Sequence, residues 1–138
     1  MRRIAWAVLL LGLLIAAPSY AHAQDVSPVR LHRNYPNPFN PETTIPFSLS
    51  STLWDDGKPP VISLRIYNIL AQLVAIPILQ GSGERLDNLT VAWNGTGDFS
   101  AYWDGRVLGT GREAASGVYV YQLIVDGRAF SKKMTIVK

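Results

Sequence analysis

The chain contains no cysteine. That excludes a disulfide framework, a cysteine nucleophile and thiolate metal ligation. It says nothing against export, so the compartment has to be read elsewhere. Histidine is scarce, with His22 and His32 the two copies. An enzyme needs a base, a nucleophile or a metal gathered in a pocket, and no Ser/His/Asp set can be assembled around His32. Asp98 and Asp104 flank a Trp-rich stretch in the manner of paired carboxylates, but aspartates in turns are the ordinary case and no glycosidase pair is read there. Asp55-Asp56 supplies too few carboxylates for calcium. No basic stripe interleaved with aromatics marks a nucleic-acid surface, and no stretch beyond the N-terminal run carries a helical period. These absences describe a non-catalytic protein without cofactor, metal or nucleic-acid partner.

What the chain does have begins at its N-terminus. Arg2 and Arg3 precede an apolar run from Ile4 to Ala17, which Pro18 breaks before Ala21-His22-Ala23. A charged start, an apolar middle and small residues two apart are the pattern of a secretory signal peptide. The apolar run falls short of the roughly 20 residues a spanning helix needs. The expectation is cleavage between Ala23 and Gln24, export through Sec to the periplasm, and no stable membrane insertion afterwards. Thirteen Lys and Arg less Arg2 and Arg3 leave eleven against ten Asp and Glu, so the mature charge is +1 rather than +3. Of 138 residues, 115 then remain, enough for one β-sandwich and little more.

Those 115 residues alternate and turn. After a polar approach over 24–33, the run Asn34-Tyr35-Pro36-Asn37-Pro38-Phe39-Asn40-Pro41 cannot be helix and is a poor central strand, because each proline fixes its own φ and extends the residue before it. It reads as a rigid lead-in with Tyr35 and Phe39 available to pack. Thr43–Ser50 places Ile45, Phe47 and Leu49 on one face; Pro46 lacks a donor, so this strand should lie at an edge or carry a bulge. Val61–Ile69 puts Ile62, Leu64 and Ile66 on one face. Asn68–Gln72 turns the chain into a strand over Leu73–Leu79, and Gln80–Asn88 is a polar connection. Leu89–Trp93 is a short strand whose parity makes Trp93 a core residue. Asn94–Asp98 is a turn, Phe99–Trp103 a strand and Val107–Ala115 a Gly-rich loop. Beyond it Tyr119, Tyr121, Leu123 and Val125 share a core face. Asp126-Gly127 is a hairpin turn, and Arg128–Val137 is the last strand, with Phe130, Met134 and Ile136 on one face. Short alternating strands punctuated by turns argue a single antiparallel β-sandwich of about seven strands.

Several of these stretches resemble one family. Asn34–Asn40 followed by Pro41-Glu42-Thr43-Thr44-Ile45, the hairpin Leu64–Ala75, Trp103-Asp104-Gly105-Arg106, Ser116–Leu123 and Lys132–Lys138 are similar, in order, to the type A C-terminal sorting domains of cargo of the bacterial type IX secretion system. Those domains are related to the immunoglobulin-like domain of flagellar hook-capping proteins. The resemblance covers Leu31 to Lys138. It departs from the family at Ala71, where glycine is usual and a positive φ would strain alanine, so that the turn is expected to differ. It departs again at Trp93-Asn94-Gly95, an early echo of the tryptophan motif. A sorting-domain protein would also carry a large cargo domain before the lead-in, where this chain has 24–33; the domain is then either the whole mature product or what is left of a truncated gene.

The resemblance implies an immunoglobulin-like fold over 43–138 behind a linker and lead-in over 24–42 and a signal peptide over 1–23. It implies transport across the outer membrane, partners in the translocon and its sortase-like component, and a final place on the cell surface or outside the cell. The residues it marks are Asn37 and Pro38 in the lead-in, Gly117 and Tyr119 in the penultimate strand, and Lys132, Lys133 and Lys138 at the end. Gly117 and Tyr119 are read as structural. The lysines either meet an acidic receptor surface or blunt a strand edge against aggregation. Two other functions stay open. One is a stand-alone secreted structural or adhesive module, such as a cap-like scaffold or surface-assembly subunit binding by strand addition. The other is a carbohydrate-binding module using Trp93, Phe99, Tyr102 and Trp103 as an aromatic platform.

Overall fold

The computed structural model describes residues 27–138. The expected signal peptide, with its cleavage between Ala23 and Gln24, lies outside the described residues. Nine strands follow: β1 (Val29–Leu31), β2 (Thr43–Leu49), β3 (Val61–Asn68), β4 (Leu73–Ala75), β5 (Ile78–Leu79), β6 (Leu89–Thr90), β7 (Asp98–Trp103), β8 (Gly117–Val125) and β9 (Arg128–Ile136). A single 3₁₀ turn, Ser51–Trp54, is the sole helical element among the described residues. None is long and apolar enough to cross a membrane.

The strands form two antiparallel sheets packed as a sandwich. One has the order β1-β2-β7-β5; the other runs β4-β3-β8-β9, with β6 also on β3. Period-two alternation fills the space between them. Ile45, Phe47 and Leu49 from β2 and Ala101 and Trp103 from β7 meet Ile62, Leu64 and Ile66 from β3, Tyr119, Tyr121, Leu123 and Val125 from β8, and Met134 and Ile136 from β9. Asp126-Gly127 closes the β8–β9 hairpin with both residues at positive φ, 47° and 83°, the geometry that two-residue hairpins favour.

Nine strands rather than about seven arise in two places. β1 sits within the approach, three residues being too few to show a period. The expected strand Leu73–Leu79 is two strands in different sheets, β4 on β3 and β5 on β7. Pro77 lies between them, and a residue with no N–H is a natural point for a chain to leave one ladder and join another. Pro46 is not on an outermost strand, since β2 lies between β1 and β7. Its missing donor faces the β1 side, where pairing is irregular: β1 ends at Leu31↔Phe47 and resumes as the bridge Tyr35↔Thr44. Three residues there, His32 to Asn34, oppose two, Ile45 and Pro46, so the bulge falls on the partner.

Three further expectations change. The turn after β3 does not avoid left-handed geometry: Ala71 adopts φ 59°, with Asn68 Oδ1 accepting from the Leu70 and Gln72 amides at 3.0 Å each. Trp93 is not a core residue. β6 ends at Thr90, the Asn94 loop redirects the chain, and Trp93 is 41% exposed. It lies edge-on against Trp54, with ring centroids 5.0 Å apart, and Trp54 stacks on Phe99, so these rings close one end of the sandwich from outside. Finally, the polar connection after β5 holds Leu86, which is wholly buried. Its carbonyl accepts from Leu64 N–H at 2.8 Å and its amide donates to Pro77 at 3.0 Å, which carries the side chain into the core.

Candidate recognition site

The lead-in is bound into the fold at both ends. Near its start, Tyr35 exchanges two 2.9 Å backbone hydrogen bonds with Thr44. The buried Asn34 side chain donates to Pro36 C=O and Thr43 Oγ1 at 3.3 and 3.1 Å. Tyr121, from the opposite sheet, donates its hydroxyl to His32 C=O at 2.7 Å and accepts from Asn34 N–H at 3.2 Å. Near its end, Asn37 Oδ1 accepts from Thr135 N–H at 3.1 Å. Phe39 N–H donates to Thr135 C=O at 3.1 Å, and Val137 N–H donates to Phe39 C=O at 3.2 Å. The lead-in thus joins the terminal strand by a short parallel bridge. Asparagine suits position 37 because its short side chain supplies the acceptor a strand backbone would otherwise provide.

Behind that bridge four of the singled-out stretches meet. Phe39 lies edge-on to Trp103, centroids 5.6 Å apart, and Trp103 edge-on to Tyr119 at 5.9 Å. Trp103 Nε1–H donates to Arg106 C=O at 3.0 Å, and Tyr119 donates to Ala115 C=O at 2.7 Å. Gly105 passes so close to the lead-in that a Cβ there would stand 2.0 Å from Pro41 C=O; only glycine permits that approach. Gly117 begins β8 at φ 149°, a conformation side chains disfavour, and nothing crowds its missing Cβ. Its role is conformational. Burial raises the Tyr119 and Tyr121 hydroxyls above the usual phenol pKa; for Tyr121 the Asn34 amide and the Arg33 charge pull the other way.

In front of the bridge, Arg33, Asn37, Lys132 and Lys133 line a cleft of ≈ 410 Å³. Three of the five residues expected at the lead-in and terminal strand therefore fall together, and Arg33 joins them. Pro38 sets the chain between Asn37 and Phe39 and does not line the cleft. Nor does Lys138, whose ammonium lies 3.4 Å from Glu113 and whose backbone N–H donates to Ser116 Oγ at 3.1 Å. By contrast, Arg33, Lys132 and Lys133 have no carboxylate within 4 Å among the described residues. The arrangement can bind an anion; it holds no acid or base poised for chemistry.

The other candidates separate. Asp98 and Asp104 lie at opposite ends of β7, roughly 20 Å apart along an extended chain. Trp103 is buried, Tyr102 faces outward and donates to Glu42, and Trp93 and Phe99 cap the sandwich end, so the four aromatics form no single platform. His32, Ser48 and Asp98 do come together, at 2.8 Å and 2.9 Å, which no sequence spacing announced. The serine is in the middle, however. A carboxylate only accepts, so Ser48 donates to Asp98 and accepts from His32 Nε2–H; its proton is not offered to a base. A second cleft, of ≈ 320 Å³, includes Arg85, Asp104 and Arg106 among its lining residues. There Arg106 is engaged with Gly111 C=O at 2.8 Å and Asp104 with Arg106 N–H at 3.0 Å.

No protein-family model matches the chain, and no curated protein matches it. Among solved structures it is similar to PorZ of Porphyromonas gingivalis, described as an essential bacterial surface component of the type-IX secretion system, with TM-score 0.47 and 16% identity over 78% of this chain and 11% of that one. It is also similar to the Pseudomonas fluorescens alkylpurine DNA glycosylase AlkC bound to DNA containing an abasic site analog, with TM-score 0.49 and 18% identity over 80% of this chain and 31% of that one. The chain thus spans a minor part of either protein.

Proposed function

We propose that the chain is a non-catalytic sorting domain, recognised by the outer-membrane translocon of a type IX secretion system, taken to the cell surface and attached there. The observation that carries this reading is the convergence of motifs. Asn37 and Phe39, Trp103 to Arg106, Gly117 and Tyr119, and the terminal strand each resemble a separate sorting-domain motif. They lie far apart in sequence, yet they form one corner of the fold. The corner presents three cations around Asn37 with no carboxylate partner among the described residues, which suits recognition better than turnover.

The test is export. Residues 24–138 are fused behind a Sec-exported fluorescent reporter and produced in a host with a working type IX system and in a translocon-deficient strain. Reporter on the surface or in the medium of the working host alone is the expected result. Reporter held in the periplasm of both strains, with the domain folded, contradicts the reading and favours a stand-alone structural module.

A further inference from the structure

β9 is the outermost strand of its sheet, and its outer edge is half occupied. In an antiparallel pair, alternate residues turn their backbone N–H and C=O away from the partner. Counting from Val125↔Arg128, which closes the hairpin, Ala129, Ser131, Lys133, Thr135 and Val137 face outward. The bonds from Thr135 and Val137 to the lead-in fix that parity. The lead-in therefore covers the C-terminal part of the edge. Among the described residues, nothing bonds the outward backbone groups of Ala129, Ser131 and Lys133.

This open stretch borders the cationic cleft, and Lys133 belongs to both. Lys132 has the parity of Met134 and Ile136, which are buried, yet is itself exposed and lines the cleft with Arg33. We propose that the edge of β9 from Ala129 to Lys133 is a strand-addition site for an extended acidic segment of a partner protein. This deepens the sorting reading and rests on it for the partner's place in the export machinery; the docking chemistry stands on the edge and its charges.

Five residues of edge span about 17 Å, enough for a short strand to satisfy three outward N–H and three C=O groups. Main-chain bonds of that kind supply affinity, and alternate side chains supply selectivity. Carboxylates on one face of the incoming strand meet Lys133; those on the other meet Lys132 and Arg33. A second copy of this chain is the wrong occupant, since pairing β9 with β9 would bring together two strands that each carry Arg128, Lys132 and Lys133 and no acidic residue.

The experiment titrates the purified protein into a fluorescein-labelled peptide of alternating Glu with Val and Thr, and into its Lys counterpart, followed by anisotropy at low and high salt. The acidic peptide is expected to bind, more weakly at high salt, and the basic one not to bind. Ser131→Pro removes one outward N–H at a position where edge strands accept proline, and is expected to weaken binding about tenfold, the order of one main-chain hydrogen bond. Lys132→Glu with Lys133→Glu is expected to abolish it. Peptides N-methylated at alternate amides repeat the test from the other side, should Ser131→Pro disturb the fold; methylation in one parity is expected to abolish binding. No binding of the acidic peptide, or binding indifferent to Ser131→Pro in a folded protein and to both methylation parities, overturns the proposal; in the second case charge alone attracts. Peptide binding is read apart from export. Export without binding overturns this inference alone, whereas binding without export supports it and overturns the sorting reading alone.

Discussion

Asn37 and Thr135, 98 positions apart, share a 3.1 Å hydrogen bond in which the lead-in asparagine takes the place of a neighbouring strand. It ties the two ends of the domain together at the edge where the cations lie. Asn37→Ala is expected to lower stability by about 1 kcal/mol and to speed amide exchange at Thr135 more than at Met134, measured by urea unfolding and by hydrogen exchange. Phe39→Ala, which empties the space beside Trp103, should cost about 3–5 kcal/mol.

The two tryptophans of the echoed motif should behave differently. Trp103→Ala removes a buried ring and is expected to cost about 3–5 kcal/mol. Trp93→Ala loses an edge-on contact with Trp54 at the surface and should cost about 1 kcal/mol. Equal losses in thermal or urea unfolding would contradict the placement of Trp93 outside the core.

That difference marks where sequence pattern succeeds and where it stops. β2 and β3 are legible because apolar and polar residues alternate along them. β8 and β9 are legible because Asp126-Gly127 names the turn between them and core residues recur at every second position from Tyr119 to Val125 and again at Met134 and Ile136. Leu89, Val91 and Trp93 alternate just as well, but only Leu89 and Thr90 find a partner on β3. Parity cannot say how far a ladder extends. Leu73–Leu79 reads as one strand because residues on both sides of Pro77 suit a sheet, and the pattern is blind to which sheet. Leu86 is a lone apolar residue among polar ones, with no period to reveal it. At the candidate site, Asn37, Lys132 and Lys133 are legible by resemblance. Arg33 is not, because only the fold brings it beside Lys132 and Lys133. The same resemblance marks Lys138, but Glu113 engages it away from the cleft.

Ala71 occupies left-handed backbone at φ 59°, which costs an alanine about 1–2 kcal/mol relative to right-handed geometry. Ala71→Gly relieves it, less the extra freedom glycine has in the unfolded chain. A net stabilisation of about 0.5–1 kcal/mol is expected by urea unfolding, with the fold unchanged.

Tyr119 and Tyr121 have folded pKa values raised by burial. Above pH of about 10 an unfolded tyrosine has lost its proton while these keep theirs. The unfolded state then binds fewer protons, so stability falls as pH rises. The contribution is fully present below that pH and is lost as pH climbs through the folded values. Unfolding midpoints measured from neutral to strongly alkaline pH should show the decline, and Tyr121→Phe should flatten part of it while lowering stability at neutral pH by about 1–3 kcal/mol, through the loss of its bonds to His32 and Asn34.

The central claim is that the corner built by the lead-in and the terminal strand is what the export machinery reads. The most direct measurement compares surface display of the reporter fusion for the wild type, for Lys132→Glu with Lys133→Glu, and for Lys138→Glu, each shown to be folded, in the type IX host. The pair at the cleft is expected to lose display while Lys138→Glu keeps it. Display that survives reversal of the pair, or that fails only with Lys138→Glu, contradicts it.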